Sequence, residues 1–206
     1  MGLTINFALR AVIDTGEAGV ADIVAKMHRT ACRFQREGRI DRVGAVRAAS
    51  ADMFGLSEYL IVELPDDPHT SRGIEVPPAQ GRVFHVSLAP GCEPLLLGLC
   101  RYPTEVPDRA TGRVRRVRRT GWRISGSCKT QYASLRGWEP FRRCHTAAVD
   151  LLVAIRSLGV RVKVCDEGGY WPGGDESSLR ASVERMNRLV AGMAGALRDA
   201  SDEEDG

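Results

Sequence analysis

Four side chains in the last third of the chain have the chemistry of an acid–base site. They are Lys129, His145, Asp166 and Glu167. An adjacent Asp–Glu pair could act as a general base or hold a divalent cation. A histidine near a helix N-terminus should stay neutral, and a lysine could stabilise developing negative charge. These residues predict acid–base or metal-assisted chemistry of the hydrolase or transferase type. No metal-ligand set and no cofactor can be assigned.

A β-α-β-α pattern would bring these side chains to one edge of a sheet. Residues 122–132 and 160–164 alternate as strands, and a helical pattern follows each of them. If the two strands are parallel neighbours, their carboxyl ends and the N-termini of both helices share one edge, where open α/β sheets bind ligands. We therefore expect an enzyme or small-ligand binder with a polar pocket at the 129–171 edge. Its predicted ligand-binding residues are Gln131, Tyr132, Arg143, Tyr170 and Trp171.

The same residues also have a purely structural interpretation. The segment Asp166–Gly169 could be a solvated turn after a strand, with Tyr170 and Trp171 as an apolar lid over the core. His145 could be a hydrogen-bonded histidine within a helix. The sequence leaves both interpretations open, so it does not decide whether the protein is an enzyme.

A basic segment supports a second function, nucleic-acid binding by a non-catalytic interaction protein. The string RVRRVRR (113–119) offers Arg115, Arg116, Arg118 and Arg119 to phosphate groups. Against this, only three of the 29 basic residues of the chain are lysines, so arginine is abundant everywhere. The acidic tail could also neutralise the segment.

A third pattern is His85-Val86-Ser87 on a predicted strand. A His-x-Ser/Thr strand motif is used by 2H phosphoesterases, which need two copies. His28-Arg29-Thr30 lies within a helical pattern, where positions i and i+2 diverge. His69-Thr70-Ser71 lies in a loop, so this interpretation is disfavoured.

The amino-terminal half predicts strands and one amphipathic helix. Alternation predicts strands at 3–10 and 58–64, apolar periodicity predicts a helix over 17–34, and a turn between 82–88 and 94–102 predicts a hairpin. We therefore expect an α+β fold on a mixed sheet, with an antiparallel N-terminal half and a βαβα C-terminal half. The chain is predicted to be a single domain, with these possible subdivisions: 1–102, a basic loop at 103–120, 121–199, and an acidic tail at 200–206.

The last predicted helix carries a narrow apolar seam. Its members step by four and three residues: Leu179, Val183, Met186, Val190, Met193 and Leu197. This spacing is compatible with core packing and with a coiled-coil dimer. The sequence favours core packing.

Composition and cysteine usage restrict the compartment. Apolar residues make up 43% of the chain, and no run of 18 apolar residues occurs. We therefore expect no membrane span and no membrane partner. The first residues do not resemble a signal peptide. Six cysteines without a CxxC pair predict reduced thiols in a cytoplasmic protein. A zinc site is disfavoured because local ligand pairs are missing from its conceivable members: Cys128, Cys144, His145 and Cys165.

Several strings resemble those of an uncharacterised family of hypothetical proteins from high-GC bacteria. They are GCEPLLLGLCRYP, CKTQYAS, RCH and DEGGYW. The resemblance covers roughly residues 80 to 199. It implies that these segments belong together, and it implies no activity.

Overall fold

The computed structural model describes residues 3–12, 16–49, 60–63, 73–107, 112–116 and 121–204. Within these ranges the principal sheet has seven strands: β1 (Thr4–Ala11), β2 (Arg42–Val43), β3 (Arg47–Ala48), β6 (Gln80–Ser87), β7 (Leu95–Arg101), β10 (Arg123–Lys129) and β11 (Val160–Asp166). Two further antiparallel pairs are β4 (Leu60–Glu63) with β5 (Gly73–Val76), and β8 (Glu105–Pro107) with β9 (Val114–Arg116). The helices are α1 (Glu17–Arg36), α2 (Trp138–Arg156) and α3 (Glu176–Glu204), with a 3₁₀ helix at Gln131–Arg136.

The principal sheet has the strand order β11-β1-β10-β7-β6-β2, and β3 also pairs with β6. Each of these pairings is antiparallel. Because β10 and β11 flank β1 on opposite sides, they run parallel to each other without being neighbours. The predicted α+β class is confirmed, as is the β6–β7 hairpin.

The core lies between one face of the sheet and the helices α1 and α2. Helix α1 contacts β2, β6 and β7, helix α2 contacts β11, and the helices contact each other. Alternation places Ile5, Phe7 and Leu9 of β1 on this face, where they are buried. Each of the two helices buries the apolar residues of one side. No helix in the described ranges is both long and apolar enough to cross a membrane.

The second face of the sheet is covered at one end and open at the other. In β7 every residue from Leu95 to Cys100 is buried, so both faces of this strand are packed. In β1, by contrast, Asn6 and Arg10 are exposed although strands flank β1 on both sides. The face formed by β11, β1 and β10 away from the helices is therefore open to solvent.

The end of β10 differs from the prediction. Residues 130–132 were expected to continue the strand, whereas Gln131 and Tyr132 begin the 3₁₀ helix. The neighbouring strand β1 starts at Thr4, and the Thr130 N–H makes a last bond to the carbonyl of Leu3. Among the described residues the ladder ends there, and the chain turns into the 3₁₀ helix.

The cysteines also differ in part from the prediction. Cys92, in the turn between β6 and β7, and Cys144, on α2, form a disulfide. The prediction of reduced thiols is therefore wrong for this pair, because the turn folds over the first half of α2. The four free cysteines are Cys32, Cys100, Cys128 and Cys165.

Candidate functional site

Two of the four predicted catalytic residues form a buried pair. Asp166 ends β11 and His145 lies on α2, and His145 Nε2 is 3.1 Å from Asp166 Oδ1. The side chains are 0% and 2% exposed, on the helix side of the sheet. Asp166 is the polar neighbour of this ring nitrogen, and the contact falls short of a well-formed hydrogen bond.

Thr130 extends this pair into a network. Its Oγ1 is 2.9 Å from His145 Nδ1 and 3.2 Å from the carbonyl oxygen of Leu3. The hydroxyl has one proton and can donate to only one of them. Thr130 and His145 are both fully buried. The threonine therefore orients the imidazole from one side while Asp166 faces its other nitrogen.

The Asp166 carboxylate organises the loop that follows it. Oδ1 accepts a hydrogen bond from the Gly168 N–H at 2.8 Å, and Oδ2 accepts from the N–H groups of Tyr170 at 2.7 Å and Trp171 at 2.9 Å. Burial alone would raise the pKa of Asp166. The nearby His145 and the backbone N–H groups outweigh burial and lower that pKa below its usual value.

Position 168 requires glycine because the backbone there passes close to the side chains of His145 and Leu179. A Cβ built at this position would lie 2.8 Å from His145 Nε2 and 2.7 Å from a methyl group of Leu179. A larger residue would therefore push the loop off the buried pair. This contact gives the first glycine of the DEGGYW string a structural role.

The other two predicted catalytic residues lie at the same edge of the sheet but outside the buried network. Glu167 Oε2 accepts a hydrogen bond from the Thr4 N–H at 2.9 Å. The Lys129 N–H donates to Glu93 Oε2 at 3.0 Å, and Lys129 Nζ is 3.9 Å from Glu93 Oε1. Lys129 and Glu167 are exposed, whereas His145 is buried. The four residues therefore do not converge on one pocket.

The predicted ligand-binding residues are also spread out. Tyr132 is exposed on the 3₁₀ helix, and Gln131 beside it is half-buried. The Tyr170 ring packs edge-on to His145, with 6.3 Å between the ring centroids. Burial raises the pKa of the Tyr170 hydroxyl, and the carboxylates of Asp150 and Glu176 raise it further. Trp171 is half-buried against the core.

Arg143 lines two shallow cavities of about 290 Å³ and 200 Å³ beside α2. It donates a hydrogen bond to the Gly38 carbonyl at 2.6 Å. Its neighbours in the smaller cavity are already neutralised, Arg39 by Asp150 and Arg142 by Glu139 and Glu176. Little positive charge is left there for a ligand.

The basic segment forms part of a hairpin. Arg115 and Arg116 lie in β9, where Arg116 is paired directly with Glu105 of β8. Arg118 and Arg119 lie outside the described residues. An opposite charge across the strand pair reduces the field of this segment.

The remaining sequence motifs do not form a site. His85 is exposed on β6, 3.4 Å from Arg47 Nη2, while His28 contacts the Gly44 carbonyl at 3.0 Å from within α1. His69 lies outside the described residues. Of the conceivable zinc ligands, Cys144 is in a disulfide, and the described part of the chain holds no metal-binding group of three or more His, Cys, Asp or Glu side chains.

A basic surface that was not predicted from the sequence lies on the open face of the sheet. Arg10 of β1 is directly opposite Arg123 of β10 on one side and Arg161 of β11 on the other. Lys163 lies two residues from Arg161 on the same face, opposite Ala8. We call these four residues the basic face: Arg10, Arg123, Arg161 and Lys163.

Three members of the basic face have no ion pair among the described residues. Arg10, Arg161 and Lys163 are exposed, and no carboxylate in the described ranges forms an ion pair with them. The outward-facing positions of the three strands include no acidic residue. The signal in the sequence was the alternation in LTINFALR, RISGSCK and VRVKV, which puts each cation on the polar side of its strand.

No family model, curated protein or solved structure matches this chain. The function therefore has to be argued from these surfaces.

Proposed function

We propose that the protein binds nucleic acid through the basic face. The observation that carries the proposal is the row of three arginines in register, Arg161–Arg10–Arg123, of which Arg161 and Arg10 are exposed on the open sheet surface. The proposal keeps the nucleic-acid function suggested by the sequence. It moves the principal contact from the 113–119 segment to the sheet.

The arginine row has an energetic cost that a bound anion would offset. Neighbouring strands are about 4.8 Å apart, and like charges directly opposite each other destabilise a sheet. Two unit charges about 5 Å apart in water repel by about 0.8 kcal/mol. A phosphate between two guanidinium groups converts this repulsion into charge-assisted hydrogen bonds.

The shape of the surface fits a polymer better than a small ligand. Small ligands are bound in concave, mostly apolar pockets, whereas the basic face is part of an exposed sheet surface. Arg10 and Asn6, four residues apart in β1, span about 14 Å along the strand. Ser125 and Ser127 of β10 are exposed on the same face and can donate hydrogen bonds to phosphate or sugar oxygens.

The acid–base hypothesis has less support from the geometry. His145 and Asp166 have almost no exposed surface, and the two exposed members contact other residues. A general base must come within hydrogen-bond reach of the proton that it abstracts. We therefore assign the buried pair to the architecture of the loop.

Fluorescence anisotropy with labelled twenty-nucleotide dT and U oligomers tests the proposal. If three to four phosphates are neutralised, the slope of log K against log salt should be about −2 to −3. The double substitution Arg161→Gln/Lys163→Gln should reduce the magnitude of that slope by about 1.4. The matched control is Arg29→Gln/Arg36→Gln, which removes the same charge from the exposed side of α1.

Three outcomes decide the question. Loss of affinity in the β11 variant and not in the α1 variant supports the basic face. Equal loss in both means that binding follows net charge alone, and this overturns the proposal. If only the replacement of Arg115, Arg116, Arg118 and Arg119 by Ala abolishes binding, the basic segment is the interface and the sheet is not.

A further inference from the structure

A thiol and an imidazole form a close pair on α1. Cys32 lies one helical turn after His28, and its Sγ is 3.7 Å from Nδ1 and 4.0 Å from Nε2 of the imidazole. Side chains four positions apart on a helix are neighbours, so the helix itself brings these two groups together. Both residues are half-buried, which places the pair at the boundary between the core and solvent.

Two groups from the sheet side of α1 hold the imidazole in one orientation. His28 Nε2 is 3.0 Å from the Gly44 carbonyl oxygen, which can only accept a hydrogen bond, so the neutral ring carries its proton on Nε2. The Phe84 ring packs edge-on against the imidazole, with 5.1 Å between the ring centroids. Neither of these neighbours titrates. The lone pair of Nδ1 is therefore the one that faces the Cys32 thiol.

The surroundings of this pair match those of activated thiols. A thiol becomes nucleophilic when it loses its proton, and an activated cysteine has a base within reach that a third group orients. Here Nδ1 of His28 is the base and the Gly44 carbonyl is the orienting group. Arg29 and Arg36 are three positions before and four positions after Cys32, on the same side of α1, and both are exposed. Their positive charge favours the thiolate.

We propose that Cys32 is a reactive thiol that exchanges with small disulfides bearing carboxylate groups. His28 Nδ1 takes the thiol proton, and the Cys32 sulfur attacks one sulfur of the disulfide. The S–S bond of the small molecule breaks, and its leaving thiolate takes the proton from His28. The products are a mixed disulfide at Cys32 and one free thiol, so the small disulfide is the only oxidant required.

This site is separate from the basic face. Helix α1 packs against the other side of the sheet, where it contacts β2, β6 and β7. Failure of the nucleic-acid proposal therefore leaves the thiol proposal unaffected, and the reverse also holds.

The pH profile of the exchange tests the role of the imidazole. Between pH 8 and pH 6 the thiolate fraction of an unassisted thiol falls about seventyfold, whereas the neutral fraction of an imidazole falls only about fourfold. The probe is bis(carboxynitrophenyl) disulfide, whose released thiol is coloured. Cys165→Ser isolates the reaction of Cys32. Cys32→Ser isolates that of Cys165, the matched control, which is exposed and contacts no histidine within the described ranges.

The rate at Cys32 should fall less than about tenfold between pH 8 and pH 6, and the rate at Cys165 should fall about seventyfold. Equal steepness for the two thiols overturns the proposal. In the Cys165→Ser background, His28→Gln should slow the reaction at pH 6 about tenfold and make the profile as steep as that of Cys165. An unchanged profile in a variant that circular dichroism shows to be folded also overturns it. If His28→Gln does not fold, the comparison of the two thiols still decides, because both of those proteins keep His28.

The charge of the disulfide tests the preference for carboxylates. Arg29→Gln/Arg36→Gln should slow exchange with the anionic probe about threefold or more and leave exchange with neutral dipyridyl disulfide unchanged. The same rate for the anionic probe with and without the two arginines overturns this preference.

Discussion

Replacing Asp166 by Asn tests whether the buried carboxylate holds the 166–171 loop on the core. Asn keeps the shape and one acceptor oxygen but removes the charge beside His145. It also turns an amide N–H₂ towards a backbone donor. Asp166 accepts three backbone N–H bonds and faces an imidazole at 3.1 Å. Hydrogen bonds to a charged group contribute about 1.5–3 kcal/mol each, so weakening these three should cost about 3–5 kcal/mol.

Urea denaturation measures this loss. With a slope of about 2 kcal/mol/M, the transition midpoint should fall by roughly 2 M. The neighbouring substitution Glu167→Gln is the matched control. It removes an exposed carboxylate with one backbone partner and should cost at most about 1 kcal/mol. A loss below about 1 kcal/mol for Asp166→Asn, or equal losses in the two variants, would refute the reasoning.

The pH dependence follows from the direction of the pKa shift. The pKa of Asp166 is lower in the folded protein than in the unfolded chain, because His145 and the loop N–H groups favour the ionised form. Its contribution to the free energy of unfolding is therefore complete above the unfolded pKa of about 4 and disappears as the pH falls through the folded pKa. The difference in stability between the wild type and Asp166→Asn should shrink in that range. A difference that grows below about pH 4 contradicts this assignment.

Two further predictions concern the loop and the thiols. Gly168→Ala should cost about 1–3 kcal/mol by overlap with His145. Gly169→Ala, which meets no neighbour but has a φ of +73°, should cost about 1 kcal/mol. The reverse order in thermal or urea unfolding would contradict the close approach. Burial raises the pKa of Cys128 to about 12, so Cys165, which is exposed, should react with a thiol reagent at pH 8 long before Cys128. Mass mapping of the labelled sites checks this order.

Local structure was predictable because it depends on neighbouring residues. Alternation in LTINFALR specifies a strand with one buried face, and that face is Ile5, Phe7 and Leu9. Gly159, shortly after the end of α2, has a φ of +82°, as is typical of a glycine that follows a helix. Such features require no knowledge of which strands meet.

Strand adjacency was not predictable from the same patterns. β1 lies between β10 and β11, which begin 112 and 149 positions after the end of β1. The position of β1 between them separates the ends of β10 and β11. It also brings the Thr4 N–H within hydrogen-bonding distance of the Glu167 carboxylate. The Cys92–Cys144 disulfide likewise joins residues 52 positions apart. Local periodicity carries no information about these pairings.

The two faces of β11 account for both the buried pair and the basic face. In VRVKVCD, Val160, Val162 and Val164 point to the helices, and Asp166 continues the same side. Arg161 and Lys163 occupy the other side, which is open. A strand has a period of two, so a slip of one residue would bury two cations and expose the carboxylate that holds the loop. The adjacent acids Asp166 and Glu167 therefore have different environments. Asp166 is the last residue of β11 and points to the helices, whereas Glu167 comes after the strand and is exposed.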